Sequence, residues 1–371
     1  MKIGFAILLA FHGAIHLAGF LKAFGLADLP GLGQPLSRGA GVLWLVAAGG
    51  FLAAAVMLFV DAGHWWVAAL PAVALSQALI FADFHDAKLG TIANAIILVP
   101  LALSLLDLRP SSLRSRYDAD VRAAIAASDL APPDLVTEAD LAPLPEPVGT
   151  YLRRAGVVGA PHVKSVRARF AARMRTAPDA PWMSATVEQY DFFDASGARR
   201  LFFMEASRAG LPFVAFHRYV GDAATMEVRI AGLIPVVDAR GPKMTEGETV
   251  TLFNDLCVLA PAALVDAPVQ WQLLGPRAVR ATYSNAGHTI SAYLTFDAAG
   301  DLVGFLSDDR YQSDGKTYRR LPWSTPLSNF KEMSGVRLPV HGEARWREPD
   351  GEWTYGVFEL RSIAYGVGRA R

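Results

Sequence analysis

Four apolar stretches within the first 107 residues constrain this chain more than any other feature: residues 3–24, 39–60, 64–82 and 89–106. A helix crossing ~30 Å of hydrocarbon needs ~20 apolar residues at a rise of ~1.5 Å each. The breaks between the stretches are polar or turn-forming. They hold Asp28, Pro30, Gly31, Gly33 and Pro35, then Asp61-Ala62-Gly63, then Asp83-Phe84-His85-Asp86-Ala87-Lys88. Trp44, Trp65 and Trp66 fall near expected helix ends, where an amphipathic ring favours the membrane interface. A soluble helix would show a charged face, and residues 42–60 and 67–81 show none. No small-x-small cleavage site follows the first stretch, so it reads as a retained span and not a signal peptide. The expectation is a membrane α-helical bundle of four spans, residues 1–107, with the lipid bilayer as partner.

Charge separates this part from the rest. Residues 1–107 carry four basic side chains (Lys2, Lys22, Arg38, Lys88) and five acidic ones (Asp28, Asp61, Asp83, Asp86, Asp107). All the other charged groups follow, and the net charge of the 371 residues is zero. There is no basic tract, so nucleic acid is not an expected partner. Four spans would place Lys2, Arg109, Arg114 and Arg116 on one side and Lys22, Arg38 and Lys88 on the other. That bias sets no side for the C-terminal part under the positive-inside rule. The expected location is the cell (inner) membrane, multi-pass, with topology and oligomeric state open. The single cysteine, Cys257, allows no internal disulfide and reads as a buried packing residue.

Polar side chains inside a span are costly and need a reason. His12 and His16 share a helix face, and Ala10, Ala14 and Ala18 form a small-residue stripe suited to close helix contact. His16 lies ~13 Å from the end of its span, and Gln77 and Asn94 lie ~9 Å from the same side. These three are expected to meet in the bundle, beneath a rim of Asp83, His85 and Asp86. The cluster fits either a redox, proton or metal site built on imidazoles, or interhelical hydrogen bonding that fixes the bundle. Two histidines on one helix do not make a bis-histidine haem site, so no cofactor is expected.

Residues 108–137 read as a linker with a short helix at 118–128, broken by Pro132-Pro133, and residues 138–371 as a soluble domain. From residue 163 the apolar period becomes two. In 166–175, apolar residues fall at even positions, with arginines at 167, 169, 173 and 175. The pattern recurs at 184–193, 200–206, 213–220, 225–230, 269–274, 278–283, 289–296, 302–307, 343–347 and 354–360. Hairpin turns are expected at 194–197, 297–301 and 349–351. One clear helix covers 245–259, with Thr245 as N-cap and Glu248 at capping-box spacing. The fold class is α+β: a large curved antiparallel sheet, a half-barrel or open barrel, with one or two covering helices. Met174, Met204, Met226 and Met244 suit an adaptable cavity lining or ordinary core. Trp323, between Pro322 and Thr325-Pro326, reads as an aromatic lid or core.

Several runs resemble an uncharacterised bacterial family with a C-terminal domain of unknown function and N-terminal spans. They are Arg240-Gly241-Pro242-Lys243-Met244, Glu248-Thr249-Val250-Thr251-Leu252-Phe253-Asn254-Asp255 and Ala260-Pro261-Ala262-Ala263-Leu264. Phe305-Leu306-Ser307-Asp308-Asp309-Arg310-Tyr311, Pro322-Trp323-Ser324-Thr325-Pro326, Gly342-Glu343-Ala344-Arg345-Trp346 and Ile363-Ala364-Tyr365-Gly366 belong with them. The likeness covers about residues 140–367 and implies no known activity. In strand order the domain is also similar to the LolA-like lipoprotein-carrier half-barrels, which hold acyl chains; that is an analogy of fold.

Glu248 and Asp255, seven residues apart, share a helix face with Asn254 beside them, an arrangement open to acid–base work or to capping. Asp308-Asp309-Arg310 near Arg319-Arg320 reads as an anion clamp or an ion-pair network. There is no G-x-x-x-x-G-K, G-x-G-x-x-G, H-E-x-x-H or G-x-S-x-G, and His162, His217, His288 and His341 lack ligand spacing. No metal is expected. The expected function is a membrane protein presenting a binding domain for a lipid, acyl chain or other apolar ligand, with binding favoured over catalysis and enzyme activity left open. The alternatives are a membrane redox or metal-dependent enzyme using the intramembrane histidines, and a structural or envelope-sensing role.

Overall fold

The computed structural model describes residues 2–29, 33–60, 63–128, 133–194, 197–313 and 317–368. Pro30 and Gly31, Asp61 and Ala62, Pro132, and the centre of the expected turn at 194–197 lie outside the described residues. The chain divides into two compact units, Met1–Arg109 and Pro110–Arg371.

The first unit is helical: α1 (Lys2–Ala23), α2 (Arg38–Phe59), α3 (Trp66–Ala82), the single turn α4 (Phe84–Ala87) and α5 (Gly90–Asp107). Three of these, α1, α2 and α5, are long and apolar enough to cross a membrane. The expected third span falls short: the helix begins at Trp66, not His64, and its 17 residues make it a shorter apolar helix. Glycines, and not the Ala10–Ala14–Ala18 stripe, let α1 and α2 approach. A Cβ on Gly19 would lie 2.4 Å from Trp44 Cγ, and one on Gly13 3.0 Å from Phe51 Cβ. Ala14 is exposed.

The second unit opens with α6 (Leu113–Ala126), α7 (Glu138–Leu141) and α8 (Glu146–Arg154). Six strands follow: β1 (Ser165–Met174), β2 (Met183–Asp194), β3 (Gly197–Arg208), β4 (Leu211–Val220), β5 (Ala223–Ile230) and β6 (Ile234–Ala239). Then come α9 (Pro242–Leu259) and a 3-10 turn at Pro261–Leu264. Seven longer strands and one short hairpin complete the chain: β7 (Val269–Gly275), β8 (Ala278–Asn285), β9 (His288–Phe296), β10 (Leu302–Ser307), β11 (Tyr311–Ser313), β12 (Tyr318–Arg320), β13 (Trp323–Met333), β14 (Val336–Glu348) and β15 (Gly351–Tyr365). Thirteen strands form one antiparallel sheet in the order β6-β5-β4-β3-β2-β1-β15-β14-β13-β10-β9-β8-β7, and β11 pairs with β12 apart from it.

The sheet curls. β3 and β8 are eight strand steps apart in this order, ~38 Å in a flat sheet at ~4.8 Å per step. Yet Asn285, at the end of β8, accepts from Ala198 N at 2.9 Å and donates to Ala198 O at 3.2 Å, at the start of β3. The edge strands β6 and β7 do not pair with each other, so the product is an open half-barrel. Tight turns drive the meander. Ala209-Gly210 and Ala286-Gly287 both take positive φ at each central residue, the backbone of a two-residue turn that matches strand twist.

Strand alternation sorts side chains to two faces. On β3, Leu201 and Phe203 turn outward and join Tyr190, Phe192 and Phe216 beneath α6, which contributes Leu113, Tyr117 and Val121. The segment read as a linker therefore carries a helix packed on the sheet, because its apolar positions match an apolar patch on the outer face. The inner face meets α9. This helix starts at Pro242, behind Gly241 at φ 95°, and not at Thr245. Thr245 is no cap: it lies inside the helix, donating from Oγ1 to Gly241 O and accepting from Ala224 N. Glu248 is correspondingly interior and buried.

Candidate ligand-binding site

The helix α9 has two working faces. Val250, Phe253, Leu256 and Cys257 enter the main core with the inner faces of β8, β9, β10 and β14. Phe253 stacks on Tyr283 at 4.8 Å between ring centroids, and Tyr151 of α8 donates its hydroxyl to Cys257 O at 2.8 Å. Met244, Glu248, Thr251, Asp255 and Val258, on the other face, look onto a cavity of about 880 Å³. Its far walls are the inward residues of β1 to β6 and β13 to β15. Phe170, Met174, Phe202, Met204, Phe213 and Met226 give an apolar lining. Trp323 lines it too, buried, with its indole N–H donating to Tyr355 Oη at 3.0 Å.

One wall is charged. Arg200, inward on β3 and 95% buried, donates from Nε to Asp255 Oδ2 at 2.6 Å and from Nη1 to Glu248 Oε2 at 3.2 Å. Arg310 donates to Gly247 O at 2.6 Å, to Glu248 Oε1 at 3.2 Å and to Thr251 Oγ1. It stacks over Trp323, 4.8 Å from the ring centroid. Gln189 Nε2 bridges Asp191 Oδ2 and Asp255 Oδ2, each at 2.7 Å. His217 Nδ1 lies 3.6 Å from Glu248 Oε2, and Asn254 donates to Thr325 Oγ1 at 2.8 Å. Burial opposes ionisation of Glu248, but Arg310, His217 and Arg200 outweigh it and hold its carboxyl well below the usual range. Burial, then repulsion from Asp255, pushes Asp191 well above that range. Burial raises the carboxyl of Asp255 as well, against the pull of Arg200 and Gln189, so two guanidinium groups face Glu248 and the neighbouring pair of Asp191 and Asp255. Charges buried like this persist only when paired.

The helical unit holds a second polar cluster. His16 Nδ1 donates to His12 O at 2.9 Å, which leaves Nε2 of the neutral ring to accept from Ser76 Oγ at 2.8 Å. Asn94 Nδ2 donates to Ser76 Oγ at 2.9 Å and to Gln77 Oε1 at 3.0 Å, and Asn94 Oδ1 accepts from His12 Nε2 at 3.0 Å. Gln77 donates onward to Thr91 Oγ1 at 3.2 Å. Donors and acceptors match with both imidazoles neutral.

The structure thus brings His16, Gln77 and Asn94 into one network with His12, and adds Ser76 and Thr91. Asp83 terminates α3, while His85 bonds Asp86 at 2.9 Å and Asp86 accepts from Gln34 N at 3.0 Å. Met174, Met204, Met226, Met244 and Trp323 all line the cavity, with Glu248, Asn254, Asp255 and Arg310. The Asp308-Asp309-Arg310 run splits: Arg310 turns to Glu248, whereas Asp309 pairs with Arg320 and accepts from Ser291 N at 2.6 Å. Sequence reading missed Gln189, Asp191, Arg200 and His217. Each is a polar residue at an inward strand position, and only cross-strand register, such as Asp191 opposite Arg200, unites them.

A curled antiparallel sheet enclosing a helix, with an apolar cavity left beside that helix, defines the class as a half-barrel domain with an internal cavity. The chain belongs to the family of unknown function DUF6544, whose model matches residues 134–358. No curated protein matches it. A DUF1329 family protein from Desulfovibrio piger ATCC 29098 is similar in structure at 12% identity and a TM-score of 0.35, over 60% of this chain and 93% of that one. The LolA superfamily protein NE2245 from Nitrosomonas europaea is similar at 14% identity and a TM-score of 0.34, over 59% and 93%.

Proposed function

We propose that the second unit binds a lipid, an acyl chain or another apolar ligand, and that α1, α2 and α5 anchor the protein in a bilayer. The observation that carries this reading is the cavity of about 880 Å³ walled by Phe170, Phe202, Phe213 and five methionines. Small-molecule sites are typically ~300–1,000 Å³, mostly apolar, with a few placed polar groups. Unbranched methionine side chains suit a ligand of variable shape. The charged wall supports binding over catalysis, because Glu248 and Asp255 are engaged by Arg200 and Arg310. The matched hydrogen bonds around Asn94 support a bundle-fixing role for His12 and His16.

The test is photo-crosslinking of a diazirine-bearing fatty acid to the full chain in nanodiscs. Adducts are expected on the peptides containing Met174, Met204 and Met226. Ala215→Trp, which fills the cavity from β4, is expected to abolish them while leaving the circular dichroism spectrum unchanged. Adducts confined to the helical unit, or unaffected by Ala215→Trp in the folded protein, would sink the reading.

A further inference from the structure

The cavity reaches solvent at one end, where its lining residues Thr176, Ala177, Pro178, Arg208 and Val236 are exposed. In an antiparallel meander alternate turns fall at the same end, so the β1–β2, β3–β4 and β5–β6 connections all rim this mouth. The rim carries exposed apolar side chains as well. Trp182 stands on the first connection, Leu211 begins β4 just after the second, and Leu233 ends the third where Ile234 begins β6; Ile234 is 61% and Leu211 45% exposed. Contiguous exposed apolar side chains on a soluble fold mark an interaction surface.

Charge narrows the partner. The carboxylates lining the mouth, Glu343 and Glu348, pair with Arg345 at 2.9 Å and Arg319 at 2.8 Å. Among the described residues, Arg175 and Arg208 line the same mouth without a carboxylate partner, while Asp179 lies on the β1–β2 connection and Glu205 within β3, three residues before its end. Arg175 and Arg173 stack on Trp182, 4.7 Å and 5.4 Å from its ring centroid. Tryptophan beside arginine suits the boundary between acyl chains and anionic headgroups, where the ring enters the interface and the guanidinium stays with phosphate.

We infer that this rim docks on an anionic lipid bilayer, which extends the binding reading by placing the ligand's entry and exit at the membrane surface. Trp182, Leu211, Leu233 and Ile234 insert shallowly, and Arg175 and Arg208 meet the headgroups. The opposite end of the sheet stays in water: Asp222, on the β4–β5 turn, lies about 30 Å from Leu211 along a ten-residue strand.

Leu211→Cys, Ile234→Cys and Asp222→Cys, each in the full chain, test this. All three positions are exposed, and the native Cys257 is buried and spared by a thiol-reactive fluorophore. The labelled proteins are reconstituted in phosphatidylcholine vesicles, with or without phosphatidylglycerol, whose acyl chains carry a doxyl quencher. Loss of fluorescence at positions 211 and 234, deepened by phosphatidylglycerol, with none at 222, is the expected result. Equal quenching at the two ends, no quenching at the rim, or no effect of phosphatidylglycerol overturns the proposal. Crosslinking in the cavity with an unquenched rim would overturn docking alone; a quenched rim without cavity adducts would overturn ligand binding alone.

Discussion

The inner face of the sheet differs between its two halves. Over β8, β9 and β10 it is closed by α9 and α8, and Phe253, Tyr283, Phe296 and Phe305 interlock there. Over β1 to β6 it is open, and equally apolar inward rows such as Phe202, Met204 and Ala206 face space. The strands of both halves alternate in the same way. The helix makes the difference: one row on α9 is Val250, Phe253 and Cys257, the other Glu248, Thr251 and Asp255. An apolar row packs down, whereas a charged row stands off and holds a cavity open.

The largest expected effect lies in the filled half. Phe253→Ala leaves a void beneath the Tyr283 ring and is expected to cost ~3–5 kcal/mol, read as a lower midpoint in urea unfolding of the full chain in nanodiscs. Met226→Ala, in the open half, is its foil at less than ~1 kcal/mol, because few packed atoms lose contact. Equal losses would erase the distinction between the halves.

Arg200→Met probes the boundary. It strands Asp255 beside an apolar side chain, while Glu248 keeps Arg310, and breaking a buried pair this way costs ~3–5 kcal/mol. A neutral outcome in the same unfolding assay would mean that the charged row does not hold the cavity open.

The smallest effect concerns pH. Asp191 has a raised carboxyl in the folded state, so its protonated form is favoured there. Its contribution is complete below the unfolded carboxylate pKa and is lost as pH rises through the folded value. Glu248 has the opposite sign, contributing above its unfolded pKa and losing this as pH falls. Asp191→Asn is therefore expected to flatten the decline in thermal midpoint on the alkaline side and leave the acid side unchanged. An unaltered alkaline limb would show that Asp191 is ionised in the native protein.

Much of the architecture was readable beforehand. Period-two alternation located eleven of the strands, because a half-buried strand writes its two faces into every second residue. It passed over β6, β13 and the short β11–β12 hairpin. In β6, Ile234, Pro235 and Val236 are all exposed on an edge, and in β13 Pro326 interrupts the pattern before the polar Ser328 and Asn329. Residue type alone left Met174, Met204, Met226 and Met244 open between cavity lining and core, and depth along the helices set His16, Gln77 and Asn94 toward one side. The start of α9 was not readable, since the Thr245 to Glu248 spacing imitates a cap that Gly241 and Pro242 supply.

By itself, then, the sequence determined the apolar helices, the α+β class and the inward faces of most strands, because those depend on the order of neighbouring residues. Tertiary structure alone decided that α3 falls short of a span, that α6 packs on the sheet, and that Gln189, Asp191, Arg200 and His217 gather around Glu248 and Asp255. These contacts join residues up to 111 positions apart, through a register and a curl that no local pattern records. The apolar helices that constrain the chain most are local facts; the cavity is a consequence of how far one helix stands from a curled sheet.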